Sequence, residues 1–196
     1  MVTIKYIFTD GLSWERVKRL PSLLPVDVET ADRQKHLPDK ILHLLSAYLK
    51  RKYIGSWTKN ESGKPLSKNA FFNVSHCEGM VVIALSDRNV GVDAERIRTT
   101  DEDLRAYVSS PEEKAFMSTD EDFFSVWTAK ESLVKAEGSG LPNKPNKIPA
   151  FPLNGIKCFN DISYFTRQIR IDDFVLSVTR EGIEPFVPKI EKEELP

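Results

Sequence analysis

The chain has 196 residues, of which 40% are hydrophobic and 29% are charged, a balance typical of one globular domain or two small ones. Its 28 basic and 29 acidic residues leave a net charge of −1, which argues against bulk nucleic-acid binding. No apolar run approaches the roughly 20 residues that span a membrane, and no secretory signal is visible. We therefore expect a cytoplasmic protein in which Cys77 and Cys158 are free thiols.

Hydrophobic periodicity and turn residues predict an α+β fold. The expected elements are a strand over 1–9, an amphipathic helix around 41–49, strands over 71–74, 80–85 and 90–95 in an antiparallel meander, short helices at 101–108 and 111–117, a longer helix at 122–137, and strands at 164–171 and 174–179. Thr100 with Asp103, and Ser110 with Glu113, resemble capping boxes of the short helices. The charged, proline-bearing segment after Glu184 is expected to be frayed or draped over the surface.

Two carboxylates stand at alternate positions of the apolar run 90–95. Asp93 and Glu95 are two residues apart in a predicted strand, so their side chains share one face. For this pair taken alone, an edge strand with one solvated face is the favoured explanation.

Glu131 is a third carboxylate, in the predicted helix 122–137. It continues the helical series set by Phe124 and Trp127, so it interrupts the apolar stripe, where a charge needs a partner. Lys135 lies one turn further on, and a plain surface pair with Glu131 is the competing explanation. If the three acids converge, they suit Mg²⁺, which prefers carboxylates and substrate phosphates. Zinc is disfavoured, because the histidines and cysteines show no tetrahedral spacing.

Ser75 and His76 are poorly placed as nucleophile and base. Adjacent residues of an extended segment point to opposite faces, and no Gly-x-Ser-x-Gly motif surrounds Ser75. A turn with a hydroxyl, an imidazole and backbone N–H groups could instead hold a phosphate. A serine that only caps its turn remains the alternative, and Gly63-Lys64-Pro65 is by itself a weak turn signal.

Four segments in order resemble the 4′-phosphopantetheinyl transferases of the larger, single-chain, surfactin-synthetase-activating type. The segments are Gly63-Lys64-Pro65, Phe72-Asn73-Val74-Ser75-His76, Val90-Gly91-Val92-Asp93-Ala94-Glu95, and Phe124–Lys135 with Gly138-Ser139-Gly140-Leu141. The resemblance implies two similar α+β halves that form an intramolecular pseudo-dimer with coenzyme A between them. We place the halves at 1–98 and 99–184, followed by a tail at 185–196, and expect a monomer.

The resemblance also implies roles for individual residues. Asp93, Glu95 and Glu131 would bind Mg²⁺, Glu131 would be the general base, and Lys135 would contact the pyrophosphate and stabilise the leaving group. The residues expected to contact coenzyme A are Lys64, Pro65, Ser75, His76, Asp93, Lys135 and Lys40, with Arg33 and Lys35 behind Lys40. Trp127 is expected to be structural. Ala94 departs from the bulkier aliphatic residue usual between the two acids, and the part before Arg33 is short for this type.

The implied reaction is Mg²⁺-dependent transfer of the phosphopantetheine arm of coenzyme A to a serine of an apo acyl or peptidyl carrier protein, releasing adenosine 3′,5′-bisphosphate. Fatty-acid, polyketide and nonribosomal-peptide carriers are all compatible with the sequence. One alternative is a Mg²⁺-dependent phosphohydrolase that acts on a nucleotide-type substrate. Another is a catalytically decayed module that binds coenzyme A or a carrier protein. We expect neither a nucleic acid nor a membrane as partner.

Overall fold

The computed structural model describes residues 1–140 and 144–196, so Leu141 of the last resembling segment lies outside the described residues. The helices are α1 Trp14–Val17, α2 Pro25–Asp32, α3 Leu37–Tyr53, α4 Glu102–Val108, α5 Pro111–Phe116 and α6 Asp120–Glu137. The strands are β1 Val2–Phe8, β2 Thr58–Lys59, β3 Pro65–Leu66, β4 Phe71–Cys77, β5 Met80–Ser86, β6 Val90–Arg96, β7 Gly155–Phe159, β8 Ile162–Ile171, β9 Phe174–Glu181 and β10 Lys189–Lys192. Within these ranges, none of the helices has both the length and the apolar character that a membrane crossing requires.

The fold is α+β, with two four-stranded sheets and one short hairpin. The first sheet has the order β10-β1-β5-β4 and the second has the order β6-β9-β8-β7, while β2 and β3 form the hairpin. Strand β10 runs parallel to β1, whereas β1, β4 and β5 pair antiparallel. The second sheet is antiparallel throughout.

The two sheets share one hydrophobic core, and each is covered on its outer face by a long helix. In β5, Met80 and Val82 point into the core between the sheets, whereas Val81 and Ile83 pack toward α3. In β6, Val92 and its alternate neighbours point into the same inner core. The residues between them, which include both acids of the strand, therefore face α6.

Gly91 lets β6 approach α6 at backbone distance. A Cβ atom at this position would lie 2.0 Å from the Ser132 carbonyl oxygen and 2.3 Å from the Ala136 nitrogen. No residue with a side chain fits that space without moving the helix. The glycine thus sets the spacing between Asp93, two residues along the strand, and the helix that carries the other candidate site residues.

The predicted meander is wrong at its third strand. Consecutive strands usually pair, but β6 leaves β5 and pairs antiparallel with β9, with Val92 opposite Val178 and Asp93 opposite Ser177. Both faces of β6 are covered, one by the core between the sheets and one by α6, so a place on the second sheet buries it more completely.

Of the two predicted helix caps, one is confirmed and one is wrong. The Ser110–Glu113 capping box is present, but the cap of α4 is Asp101, while Thr100 bonds instead to the carboxylate of Asp120.

The segment after residue 184 is not frayed, because β10 adds to the edge of the first sheet and Glu193 accepts hydrogen bonds from α3. Elements without a strong local pattern, namely α1, α2, β2, β3, β7 and β10, were not predicted. The two sheets are alike in strand number, while the duplicated pseudo-dimer halves and the boundary at residue 98 stay predictions.

Candidate active site at the junction of the two sheets

Side chains join the two sheets where β4 runs beside β6. The Asn73 Oδ1 atom accepts a hydrogen bond of 3.0 Å from the Val92 backbone N–H, and Ser75 Oγ donates a bond of 2.8 Å to Asp93 Oδ1. The outer edge of β6 is therefore closed by an amide and a hydroxyl of the neighbouring sheet, a common way to protect an edge strand. This junction brings the motif around Ser75 to the motif around Asp93.

Asp93 is buried beside the ammonium group of Lys135. Lys135 Nζ lies 2.5 Å from Asp93 Oδ1 and 3.0 Å from Ser75 Oγ, so the helix α6 and the strand β4 both contact one carboxylate oxygen. The second oxygen, Oδ2, is buried without a hydrogen-bond partner among the described residues. A buried carboxylate oxygen in that state is costly unless a ligand completes it.

Glu131 lies on the one stripe of α6 that is not fully buried. Trp127, Glu131 and Lys135 are half-buried, whereas the residues around them are buried on nearly every side. Phe124 and Val134 of the same helical series are buried apolar residues, so Glu131 does interrupt an apolar stripe, at a point where the helix borders the cleft. Burial and the negative charge of Asp93 raise the pKa of Glu131 to about 7, against the opposing effect of Lys135. A carboxylate near neutrality is suited to accept a proton.

Lys135 does not pair with Glu131 as a plain helix-surface pair would require. Its ion pair is with Asp93, across the interface between α6 and β6. The competing explanation for these two helix residues is therefore wrong.

Glu95 is the most exposed end of the acidic row on β6. Arg98 donates a hydrogen bond of 2.9 Å to Glu95 Oε2. Burial raises the pKa of Glu95, and the charge of Asp93 adds to that rise. Trp127 packs against the cluster of Val108, Phe123, Phe124 and Val175, as expected of a structural residue.

The three carboxylates fit a divalent cation by chemistry, although they are not arranged as a finished ligand set. Over residues 1–140 and 144–196, no three His, Cys, Asp or Glu side chains are gathered closely enough to hold a metal ion as they stand. Asp93 nevertheless offers a buried, unpartnered oxygen, and its negative charge raises the pKa of both Glu95 and Glu131. Oxygen donors of this kind suit Mg²⁺, which needs only one or two carboxylates and keeps several waters.

A cleft of about 300 Å³ opens between α6, β4 and the β2–β3 hairpin. The cleft is lined by Ser62, Gly63, Lys64, Pro65, Asn73, Val74, Glu131, Val134, Lys135, Gly138 and Gly140. It therefore joins the Gly63-Lys64-Pro65 turn, which is weak as a sequence signal, to the two functional residues of α6.

The hairpin is fastened to the end of α6. Lys64 Nζ donates a hydrogen bond of 2.7 Å to the Ala136 carbonyl, and Asn60 Nδ2 donates one of 3.2 Å to the Gly138 carbonyl. Gly138 ends the helix with φ of 94°, as expected of a glycine cap. Burial lowers the pKa of Lys64 to about 8, so its charge is easily modulated by an anion in the cleft.

Ser75 and His76 do point to opposite sides of β4. Ser75 contacts Asp93 and Lys135, whereas His76 Nδ1 lies 3.4 Å from Ser46 Oγ of α3. Burial and the positive charge of Lys135 lower the pKa of His76. The interpretation of these two residues as a nucleophile with its base is therefore excluded by their geometry.

Lys40 lies apart from the cleft in this structure. It sits near the start of α3, where its Nζ is 2.5 Å from Asp32 Oδ1, and Arg33 and Lys35 are exposed. The roles of these three residues in binding a nucleotide stay predictions.

Asn73 and Gly91 set the spacing between the elements that form the site, although sequence reasoning assigned them no role. A glycine within an apolar strand is a signal of close backbone approach, which applies to Gly91. An asparagine in an apolar strand similarly signals a specific hydrogen bond, which Asn73 makes to Val92.

The chain is similar in sequence to known proteins of one family. Residues 89–179 match the 4′-phosphopantetheinyl transferase superfamily. The chain is 35% identical over 126 residues to 4′-phosphopantetheinyl transferase gsp of Aneurinibacillus migulanus, covering 56% of this chain and 53% of that protein. It is 29% identical over 150 residues to 4′-phosphopantetheinyl transferase Sfp of Bacillus subtilis (strain 168), covering 66% of this chain and 67% of that protein. Identity to 4′-phosphopantetheinyl transferase ffp of Bacillus subtilis is 30% over 150 residues, with the same coverage of 66% and 67%.

The fold and site define an α+β protein with a cleft lined by Glu131, Lys135 and Lys64, beside the junction of its two four-stranded sheets. The chain belongs to the 4′-phosphopantetheinyl transferase superfamily. Its match spans about half of gsp and two thirds of Sfp and ffp. The names of these relatives favour the transferase hypothesis over the phosphohydrolase alternative.

Proposed function

We propose that this protein transfers the 4′-phosphopantetheine arm of coenzyme A to a serine of an apo acyl or peptidyl carrier protein. The observation that carries the proposal is the cluster of Asp93, Ser75 and Lys135 with the unpartnered Asp93 Oδ2 atom, beside a cleft that Glu131 lines. The described part of the site presents acids and a lysine but no activated nucleophile, which suits a reaction whose nucleophile comes from the partner.

The reaction is a phosphoryl transfer in which the protein mainly positions and neutralises charge. The serine oxygen of the carrier forms a bond to the phosphorus that bears the pantetheine arm, and the bond from that phosphorus to the bridging oxygen breaks. The electron pair leaves with adenosine 3′,5′-bisphosphate. The serine proton passes to Glu131, whose pKa of about 7 lets it accept a proton near neutrality.

Lys135 has two tasks in this scheme. In the structure its ammonium group compensates the buried Asp93, and it also lines the cleft. During transfer the same group stabilises the negative charge that develops on the departing phosphate. Lys64 and Pro65 line the cleft, where we assign them to the nucleotide, and Ser75 contacts Lys135 from β4. A contact of His76, on the opposite face of β4, with the phosphate stays a prediction.

Mg²⁺ would be held by Asp93, Glu95 and Glu131 and would supply neutralisation of the pyrophosphate charge. Without it, Lys135 and Arg98 neutralise two of these carboxylates. Asp93 keeps Oδ2 free for a further partner.

The test is the intact mass of a panel of apo carrier proteins after incubation with the protein, coenzyme A and Mg²⁺. We expect a gain of one phosphopantetheine arm that EDTA prevents and that Asp93→Ala and Glu131→Ala abolish. Glu29→Ala, which removes an exposed acid of α2, is the matched control and should keep full activity. Near-normal transfer by Asp93→Ala or Glu131→Ala would refute the metal assignment.

Two other outcomes decide between the remaining hypotheses. Consumption of coenzyme A without modification of any carrier would identify a phosphohydrolase. Binding of coenzyme A without turnover on any carrier would identify a decayed binding module. The carrier served, a monomeric state and a cytoplasmic location stay predictions from the sequence.

A further inference from the structure

Side chains of β4 hold the edge of β6 at the junction of the two four-stranded sheets. Strand β4 ends the first sheet and β6 begins the second, and over the described residues no backbone ladder joins the two strands. Alternate residues of a strand share a face, so Asn73, Ser75 and Cys77 lie on one side of β4. That side faces β6, because Asn73 and Ser75 bond to it and because the charges of its two acids, besides burial, raise the pKa of Cys77 to about 12.

Asn73 contacts the backbone of β6 one residue before Asp93. The Val92 backbone N–H donates a hydrogen bond of 3.0 Å to Asn73 Oδ1. A backbone N–H is only a donor, so the amide oxygen must face β6, which fixes the orientation of the whole side chain. Asn73 is 4% exposed and Val92 is fully buried, so without this acceptor the Val92 amide would be buried and unpaired.

Ser75 holds the carboxylate of Asp93 itself. Its Oγ atom donates a bond of 2.8 Å to Asp93 Oδ1 and accepts one of 3.0 Å from Lys135 Nζ. The backbone of β6 and the carboxylate that it carries are therefore held at two neighbouring points. Together these two points determine where the second oxygen of Asp93, which has no partner among the described residues, is directed.

The other contacts of β6 do not fix its distance from β4. Its opposite edge pairs with β9, which sets the register, with Asp93 opposite Ser177. One of its faces touches α6, where a Cβ atom on Gly91 would lie 2.0 Å from the Ser132 carbonyl oxygen. The strand has no room to move toward the helix, and the bond from Val92 to Asn73 holds its backbone at the edge that faces β4.

We propose that Asn73 is a positioning residue of the transfer reaction and that it acts through Asp93. This inference rests on the proposed function, which assigns Asp93 to the reacting end of coenzyme A. By holding the Val92 amide, Asn73 keeps the next residue of the strand at the distance from which its carboxylate meets both Ser75 and Lys135. A misplacement of about 1 Å in such a group lowers the rate of an enzyme by as much as about a hundredfold.

Two substitutions of equal size test the proposal through a split between kcat and KM. Asn73→Leu removes the acceptor, and we expect kcat for carrier modification to fall about tenfold or more while the KM for coenzyme A changes little. Asn73→Asp keeps an acceptor oxygen for the Val92 amide, so its kcat should stay within about threefold of the wild type. Its KM for coenzyme A should rise, because Asn73 also lines the cleft and a carboxylate there repels the anionic donor.

Two control variants separate positioning from stability. Val17→Ala shortens a buried side chain of α1 and should lower the melting temperature while kcat is kept, and Asn69→Leu replaces an exposed amide and should change neither. Asn73→Ser, whose side chain is too short to reach the Val92 amide, takes the place of Asn73→Leu if that variant does not fold. A wild-type kcat in Asn73→Leu would overturn the proposal, and so would an equal loss of kcat in Val17→Ala. An equal loss of kcat in Asn73→Asp would overturn it too, by identifying a direct contact of the amide nitrogen with the donor.

Amide hydrogen exchange followed by NMR tests the same contact without any transfer reaction. In Asn73→Leu the Val92 amide should exchange about tenfold faster or more, while the other amides of β6 keep their wild-type rates. Equal acceleration of all β6 amides, or no change at Val92, would show that Asn73 does not hold the strand. Local acceleration at Val92 together with no carrier modification by the wild type would instead reject the proposed function and leave the contact between β4 and β6 standing.

Discussion

Buried charges in this protein are compensated in different ways, and each way has its own consequence. Asp93 has one oxygen neutralised and one left without a partner, as suits a ligand site. Lys130 and Glu113 are buried and satisfied completely. Lys130 Nζ lies 2.6 Å from Glu113 Oε2 and donates to two backbone carbonyls, while Glu113 accepts from two backbone N–H groups. This pair holds the segments around α5 and residue 150 against α6.

Lys130→Met tests the structural ion pair. The substitution leaves the Glu113 carboxylate buried without its counter-charge, and we expect a loss of about 3–5 kcal/mol in the free energy of unfolding. The double variant Lys130→Met with Glu113→Gln should be less destabilised than the single one. Chemical denaturation measures both, and Glu184→Gln, at an exposed ion pair, serves as control with no measurable loss. A single variant as stable as the wild type would contradict this account.

The buried Lys157 side chain destabilises the folded protein by an amount that depends on pH. It is buried, it donates to the Ala150 carbonyl, and burial lowers its pKa from 10.5 to about 7. Between these values the unfolded chain binds the extra proton, so this residue makes stability rise with pH from about 7 toward 10. Below pH 7 the destabilisation from this buried lysine has its full value.

Lys157→Met should remove that dependence. The free energy of unfolding of the wild type, relative to the variant, should increase steadily between pH 7 and pH 10. The lost bond to Ala150 contributes a constant that does not change with pH. Urea denaturation at several pH values measures the difference, and Lys147→Met, at an exposed lysine, should show none. A pH-independent difference for Lys157→Met would show that its pKa is not lowered.

At the scale of elements, the contact between β6 and α6 places the site. The strand supplies Asp93 and Glu95, the helix supplies Glu131 and Lys135, and Gly91 sets the distance between them. The buried hydroxyls of the helix reinforce the contact with the sheet, since Thr128 and Ser132 bond to hydroxyl groups of β9 at 2.9 and 2.8 Å.

Gly91→Ala should therefore lower both stability and activity. Its Cβ atom would overlap the α6 backbone, and we expect a loss of about 3 kcal/mol or more in the free energy of unfolding. The displaced helix would also separate Lys135 from Asp93, so transfer should fall by more than the unfolded fraction explains. Denaturation and carrier mass spectrometry measure the two effects.

Gly140→Ala is the matched glycine control. Gly140 has φ of 85° but open space around its Cβ position. Its substitution should cost only the strain of a left-handed residue, roughly 1–2 kcal/mol. If Gly91→Ala proved no more harmful than Gly140→Ala, close packing of β6 on α6 would not be what positions the site.

The sequence predicts those helices and strands whose own residues show a recognisable pattern. The apolar series from Ile41 to Leu49 predicts α3, and the glycine after residue 137 predicts the end of α6. Strand β10 has no such signal, because its pairing partner lies almost the whole chain away. The partner of β6 was predicted wrongly for the same reason, since β9 is distant in sequence.

At the scale of the whole molecule, the last strand closes the first sheet. Strand β10 pairs with β1 from Thr3 to Tyr6, and Glu193 accepts hydrogen bonds from Lys52 and Tyr53 of α3. Phe186, just before it, packs in the core between the sheets.

Truncation after Pro188 tests how much β10 contributes to the stability of the protein. The variant keeps Phe186 but loses the β10–β1 ladder, and we expect a loss of about 2 kcal/mol or more, given a net value near 1 kcal/mol for each hydrogen bond. Thermal denaturation measures it, and Glu193→Gln separates the contribution of the charge. An unchanged melting temperature after truncation would show that the strand adds nothing to the first sheet.

The candidate site could be predicted from the sequence only in part. The acids Asp93 and Glu131 are visible as charges in apolar surroundings, and the resemblance adds Lys135. The ion pair that links Asp93 to Lys135, and the contact of Ser75 with both, depend on how the sheets and α6 meet. No local pattern contains that information, which is also why Asn73 received no role.

The junction of β4 and β6 has one more consequence. Because these two edges meet through side chains and not through a backbone ladder, their separation is set by the length of an amide and a hydroxyl, Asn73 and Ser75. A single substitution at either position can widen or narrow the gap without shifting the register of any strand. The distance between β4 and Asp93 is thereby adjustable without a change in strand pairing.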